Sequence, residues 1–149
     1  MFRALLRIVR ANPDVEAICP LHPNPQVREA AAILTGEERI RVIEPPDVLQ
    51  FHHLLSRAYL ILTDSGGIQE EAVSLGIPTV VMRYSTERSE GLRSGVLRLS
   101  GSGEEGIVSL TNDLLSPSSV LYGEMKKPSR IFGDGRASVR IADLLERNL

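Results

Sequence analysis

The amino-acid sequence predicts an α/β fold built on a doubly wound parallel sheet. Short β-branched runs alternate along the chain with longer amphipathic stretches. The central apolar runs, Leu60-Ile61-Leu62 and Val80-Val81-Met82, are continuous and lack polar alternation. Parallel strands covered by helices on both faces have that signature. The spacing between runs admits a helix after each strand, hence right-handed strand–helix–strand units and an open sheet.

Read in order, the amphipathic opening Phe2–Ala11 predicts a helix and the run Val15–Cys19 the first strand. A helix over Pro25–Leu34 leads to the strand Ile40–Ile43, and a helix over Val48–Arg57 to the strand Tyr59–Thr63. The helix Gly67–Leu75 carries signals at both ends. Asp64 and Ser65 are placed to cap its first amides, Gly76 stands at the left-handed position that ends helices, and Pro78 prevents continuation. The strand Thr79–Met82, the helix Arg88–Arg93, the strand Val96–Leu99 and the helix Glu105–Leu115 follow. Ser116–Ser119 reads as a turn and Lys126–Gly135 as an irregular connection to a last helix over Ala137–Asn148.

With 149 residues, the chain reads as one domain over 1–149, large enough to bury roughly two-thirds of its unfolded surface. No uncharged run exceeds 11 residues, against the about 20 apolar residues of a membrane helix. The start resembles no signal peptide, and Cys19 is alone, which excludes an internal disulfide and a cysteine-based zinc site. These features predict a cytoplasmic protein. A net charge of -2, scattered arginines and no Trp argue against nucleic acid as a partner.

Ligands of open α/β sheets bind beyond the carboxyl ends of the strands. That edge receives His22 among Pro20, Pro23 and Pro25; then Glu44-Pro45-Pro46; then Asp64-Ser65-Gly66-Gly67; then Arg83–Arg88. The segment Thr63–Glu71, TDSGGIQEE, is the most informative. Its glycines permit close approach of a ligand, free amides at a helix start attract phosphate, and Ser65 can add a hydrogen bond. Glu70 and Glu71, about one turn further on, are placed to accept the hydroxyls of a ribose. The alternative is a capped helix whose acidic residues favour its positive end. Arg83 and Arg88 on the same edge favour the phosphate reading. His22 likewise has two readings, contact with a phosphate or leaving group, or a hydrogen bond within its own stiff loop.

His52 and His53 read as surface or half-buried positions, no histidine pair has metal-ligand spacing, and no metal site is expected. Gly101–Gly106 matches G-x-G-x-x-G, but after the last strand and with Glu104 and Glu105 inside it. A dinucleotide fingerprint belongs to a first strand–helix turn, so a plain turn is expected and a NAD-dependent enzyme is disfavoured.

Four ordered segments closely resemble the non-hydrolysing UDP-N-acetylglucosamine 2-epimerases over nearly the whole chain. They are His22-Pro23-Asn24-Pro25, TDSGGIQEE, RYSTERSE over 83–90, and Phe132-Gly133-Asp134-Gly135-Arg136-Ala137-Ser138. The hydrolysing relatives differ at the Ser-Gly-Gly position. The resemblance implies two Rossmann-like domains in the GT-B arrangement, with the nucleotide sugar between them. This chain would be the C-terminal, UDP-binding domain, equivalent to the C-terminal half of a GT-B fold, with the N-terminal domain absent.

Carried onto this sequence, the resemblance implies that Ser65, Gly66 and Gly67 hold the diphosphate and Glu71 the ribose, with Phe51 near the uracil. Arg88 and His22 would meet the phosphates as the leaving group departs, with Arg83 on the same edge. The implied reaction interconverts UDP-GlcNAc and UDP-ManNAc by elimination of UDP to a 2-acetamidoglucal and re-addition with inversion at C2, without a cofactor. The carboxylates that move the C2 proton belong to the missing domain, so this chain alone is expected to be inactive. Ser89 departs from the family's usual proline. The implied role lies in cell-surface polysaccharide synthesis. Two rivals remain, a non-catalytic UDP-sugar-binding module and a GT-B glycosyltransferase domain; TDSGGIQEE followed by Thr86-Glu87-Arg88 argues against the second. The apolar positions Val139, Ile141, Ala142, Leu144 and Leu145 of the last helix would be partly uncovered here, which favours a homodimer or a separately supplied N-terminal domain as partner.

Overall fold

Five parallel strands form two hydrogen-bonded ladders in a computed structural model that describes residues 1–148. The elements are α1 (Phe2–Ala11), β1 (Ala17–Pro20), α2 (Pro25–Ala31) with a 3-10 turn over Ala32–Leu34, β2 (Ile40–Ile43) and α3 (Val48–Arg57). There follow β3 (Ile61–Thr63), α4 (Gly66–Leu75), β4 (Thr79–Val81), α5 (Ser89–Arg93), β5 (Leu97–Leu99), α6 (Glu104–Leu115), α7 (Val120–Met125) and α8 (Ala137–Asn148). In one ladder Ala17 pairs with Ile40 through Pro20 with Ile43. In the other, β4 lies between β3 and β5, with Ile61 opposite Thr79 and Thr79 opposite Leu97.

Helical cover on both faces holds for the three-stranded ladder. Every residue of β4 is buried, with Val80 against Leu114 and Met125 on one side and Val81 in a cluster with Val73, Val96 and Leu97. The two-stranded ladder has an open face, where Ile18 and Val42 are about half exposed. Helix α1 joins the ladders. Its Leu6 and Val9 pack with Leu21, Ala31, Leu34 and Ile40, while its Ala4 and Ile8 pack with Ile107 and Val108 against Leu62 and Met82.

Polar contacts fix the C-terminal end of α1 to α6 and to the two-stranded ladder. Asn12 ends α1, its Nδ2 donating to the Ile8 carbonyl at 2.7 Å and to Asn112 Oδ1 at 2.9 Å. Arg39 donates to the carbonyls of Asn12 at 2.8 Å and Val15 at 3.2 Å. The Val15 amide is itself used by the Asn12 carbonyl. These turn bonds start β1 at Ala17 and not at Val15.

The structure shortens the expected Tyr59–Thr63 strand for a different reason. The Tyr59 ring stacks on Tyr122, with centroids 4.1 Å apart, and its carbonyl accepts from the Tyr122 hydroxyl at 3.2 Å. Tyr122 lies on α7, a helix not expected from the sequence. Ser119 Oγ caps it by accepting from the Tyr122 amide at 3.1 Å, and Leu121 and Met125 pack on the Val80–Leu114 cluster. Helix α8 buries no residue, and Val139, Ile141, Leu144 and Leu145 all stand more than half exposed. Asp134 holds its start by accepting from the Arg136 amide at 3.1 Å and from Arg140 at 2.9 Å. No helix among the described residues is long and apolar enough to cross a membrane.

Gly76 closes α4 in the left-handed region, at φ 70°, and a Cβ there would stand 2.4 Å from the backbone nitrogen of Pro128. Gly76→Ala therefore combines backbone strain with a clash against a rigid neighbour and costs about 1–3 kcal/mol. A urea titration reads this as a lowered midpoint; an unchanged midpoint would contradict it.

Candidate functional site

The carboxyl ends of β3 and β4 deliver two segments side by side. Beyond β3, buried Thr63 accepts the Ser65 amide on its hydroxyl at 3.0 Å, which bends the chain into α4. Ser65 occupies the helix N-cap with an extended backbone, yet its side chain makes no capping hydrogen bond. The expected side-chain caps from Asp64 and Ser65 are therefore not formed, because the Thr63 hydroxyl shapes the turn. The first amides of α4 make no hydrogen bond to a side chain, and no acidic residue lies in its first turn. An uncapped helix start presents N–H groups and the positive end of the helix dipole to an anion. Acid–dipole pairing does not account for Glu70 and Glu71, which lie deeper in the helix.

Glycines open this approach. Nothing lies within 4 Å of a Cβ built on Gly67, whereas one on Gly66 would stand 2.8 Å from Glu87 Oε1 and 3.6 Å from an Arg88 nitrogen. The loop beyond β4 thus leans on the first turn of α4. Arg83 pairs with Glu87 at 3.0 Å, and Arg88 pairs with Glu70 through its Nε and with Glu87 at 4.0 Å. The buried Arg88 Nε–H makes no aligned hydrogen bond, so its link to Glu70 is an ion pair. Glu87 is held below the usual carboxylate range, first by a hydrogen bond to its own backbone amide and then by the guanidiniums of Arg83 and Arg88. It is an anion at neutral pH, set beside the helix start.

Glu71 sits on the α3 side of α4. Its Oε2 is buried and accepts no hydrogen bond, with the His52 Nε2 of α3 3.4 Å away. A buried carboxylate oxygen without a donor is an acceptor waiting for a hydroxyl or N–H. Phe51, the neighbour of His52, is half-buried against the Leu55–Ile61–Ala72–Ile77 cluster. His22 is exposed, and its Nδ1 accepts the Asn24 amide at 3.2 Å. The within-loop hydrogen bond expected of it is thus present and leaves Nε2 as the donor of the neutral ring.

The structure brings Ser65, Gly66, Gly67, Arg83 and Arg88 together and places Glu71 on the same helix; His22 touches none of them. Sequence reasoning missed His52 beside Glu71, and it missed Gln69, Thr86 and Glu87 between the two segments. The signal for Gln69 was a polar residue three and four positions before Ala72 and Val73, on the inward face of α4. In the G-x-G-x-x-G segment, Glu104 and Glu105 pair with Arg7 of α1 at 2.8 and 2.5 Å. Gly101 and Gly106 there pack closely on Tyr84 and on the Ser100 carbonyl. No group of three or more His, Cys, Asp or Glu among the described residues could hold a metal ion.

Parallel strands with an uncapped, glycine-opened helix start and arginines at their carboxyl edge define an α/β domain whose site has the geometry to which anions are suited. The chain belongs to the UDP-N-acetylglucosamine 2-epimerase family, whose model matches residues 1–146. It is 47% identical over 146 residues to the UDP-N-acetylglucosamine 2-epimerase of Bacillus subtilis, covering 97% of this chain and 38% of that relative. Among solved structures, the Neisseria meningitidis UDP-GlcNAc 2-epimerase bound to UDP-GlcNAc matches with a TM-score of 0.91 and 35% identity, over 98% of this chain and 39% of that one. An S. aureus MnaA–UDP co-structure matches with a TM-score of 0.92 and 40% identity, over 99% of this chain and 39% of that one. The chain corresponds to the C-terminal part of these proteins and spans well under half of their length.

Two substitutions test the helix start as an anion site, with inorganic pyrophosphate as the probe. Gly67→Ala stabilises the fold by up to about 1 kcal/mol in a urea titration, because alanine suits a helix better. The same change weakens pyrophosphate, because the new methyl fills the open approach. Glu87→Gln strengthens pyrophosphate about threefold in calorimetry by removing a neighbouring anion; weaker binding would give Glu87 the opposite role.

Proposed function

We propose that this chain is the UDP-binding portion of an epimerase that interconverts UDP-GlcNAc and UDP-ManNAc by elimination and re-addition of UDP. The observation that carries the reading is the juxtaposition on α4 of an uncapped, arginine-flanked start with Glu71, whose buried Oε2 lacks a donor. Ser65, Gly66 and Gly67 receive the diphosphate, and Arg88 and Arg83 exchange their carboxylate partners for phosphate oxygens. Glu71 accepts the ribose hydroxyls, and Phe51 offers its free face to the uracil. His22 donates from Nε2 to the departing phosphate. Charge developing on a leaving diphosphate would be stabilised by the helix start, the guanidinium and the imidazole together. The UDP-GlcNAc and UDP bound in the related structures support the choice of ligand.

The groups that move the C2 proton come from an epimerase N-terminal domain, so this chain alone binds without turning over. The uncovered apolar face of α8 supports that partnership and suits a homodimer equally. A cytoplasmic setting is the reading of the composition and the lone Cys19, and a role in cell-surface polysaccharide synthesis is what the family resemblance implies. A non-catalytic UDP-sugar-binding module is the second reading. Supplying an N-terminal domain separates the two, because restored epimerisation requires a competent UDP half-site.

Calorimetric titration with UDP and with uridine tests the site. Glu71→Ala is expected to weaken both ligands, and Arg88→Ala to weaken UDP at least about tenfold while sparing uridine. Equal losses for both ligands in Arg88→Ala would remove Arg88 from the phosphates, and no saturable binding of UDP at millimolar ligand would overturn the reading.

A further inference from the structure

Helix α4 buries one polar side chain completely, Gln69. It stands on the inward face of the helix, one turn before Ala72 and Val73, which are equally inaccessible. A buried amide costs stability unless its donor and acceptor are paired, and here both are. Nε2 donates to the Ser65 carbonyl at 3.2 Å, and Oε1 accepts from the Thr86 hydroxyl at 2.7 Å. Because Thr86 spends its proton on Gln69, its oxygen is free to accept the Arg88 backbone amide at 3.1 Å. One unbroken series of hydrogen bonds thus runs from the residue that opens α4 to the arginine beyond β4. No strand pairing or shared helix joins these two segments there; Gln69 spans them.

We propose that Gln69, acting through Thr86, is a positioning residue that fixes Arg88 against the Ser65-Gly66-Gly67 helix start and so sets the gap that a diphosphate enters. This rests on the UDP reading above. Gln69 touches no ligand, since it is wholly enclosed behind the first turn. Its influence on binding is confined to the phosphates, because Glu71 and Phe51 lie toward α3, away from the loop beyond β4.

Thr86→Val removes the hydroxyl at nearly constant shape, and Thr86→Ser restores it. Amide hydrogen exchange at Arg88 in the unliganded chain is expected to accelerate at least about tenfold in Thr86→Val and to stay near the parent rate in Thr86→Ser. UDP affinity is expected to fall about tenfold in Thr86→Val and to return in Thr86→Ser, with uridine unchanged within about twofold. Gln69→Leu repeats the Thr86→Val pattern, and the double variant is no weaker than either single one, as members of one network require. Unchanged Arg88 exchange in Thr86→Val overturns the proposal, as does an equal loss of UDP and uridine. If the parent chain binds neither ligand, the UDP reading fails by itself, and the exchange comparison still decides whether Gln69 and Thr86 hold Arg88 in place.

Discussion

The two-sided packing of α1 is the constraint on which the rest of the molecule depends. Backbone hydrogen bonds connect strands only within each ladder, so the relation of β1–β2 to β3–β4–β5 is left to side chains. Leu6 and Val9 serve one core and Ala4 and Ile8 the other, from a helix of only ten residues. Close-packed interiors resist sliding because a shift of one side chain forces its neighbours out of register. The Asn12 junction adds direction to that packing, binding α6 through Asn112 and the start of the first ladder through Arg39. A helix that is mere surface cover in most α/β layers is here the joint between the ladders.

That joint matters for the site because the candidate ligand edge draws on both ladders. His22 follows β1, whereas the α4 start and the arginine loop follow β3 and β4. Within the second group, geometry is set by short, saturated contacts: Thr63 shaping the turn at Ser65, and Gln69 and Thr86 tying the loop to the helix. Across the groups there is no such contact. A ligand that spans from the α4 start to His22 would therefore bridge two pieces whose spacing is held by the packing of α1 and its Asn12 junction.

Much of this was legible in the sequence, and the failures have identifiable causes. α1, β2, α3 and α8 fall where periodicity placed them; along α1 apolar spacing and burial agree, whereas α8 keeps its period with no residue buried. Gly76 was readable as a left-handed terminus because few positions other than a helix end want a glycine followed closely by proline. Helix α7 was missed because its six residues are too few for a period to emerge, and its support comes from distant partners, Val80 and Leu114. Tyr59 was assigned to a strand on β propensity, which a stacked Tyr122 overrides. The glycines and arginines of the site could be found by type. Their pairing could not, because Glu70 becomes a partner of Arg88 only once β3 and β4 lie side by side, and Arg83 meets Glu87 within an irregular loop that no period predicts.

That pairing bears on how a ligand would arrive. Arg83 and Arg88 are matched by Glu87 and Glu70, so the cluster carries almost no net charge before anything binds. Cancelling charges produce a field that dies away within a few ångströms, well inside the roughly 8 Å screening length of physiological salt. Long-range attraction thus contributes little, and an anion meets the guanidiniums only on contact. Capture becomes an exchange of partners in place, phosphate for carboxylate. Selectivity then rests on fit to the turn of α4, and abundant simple anions gain no advantage from an open positive field.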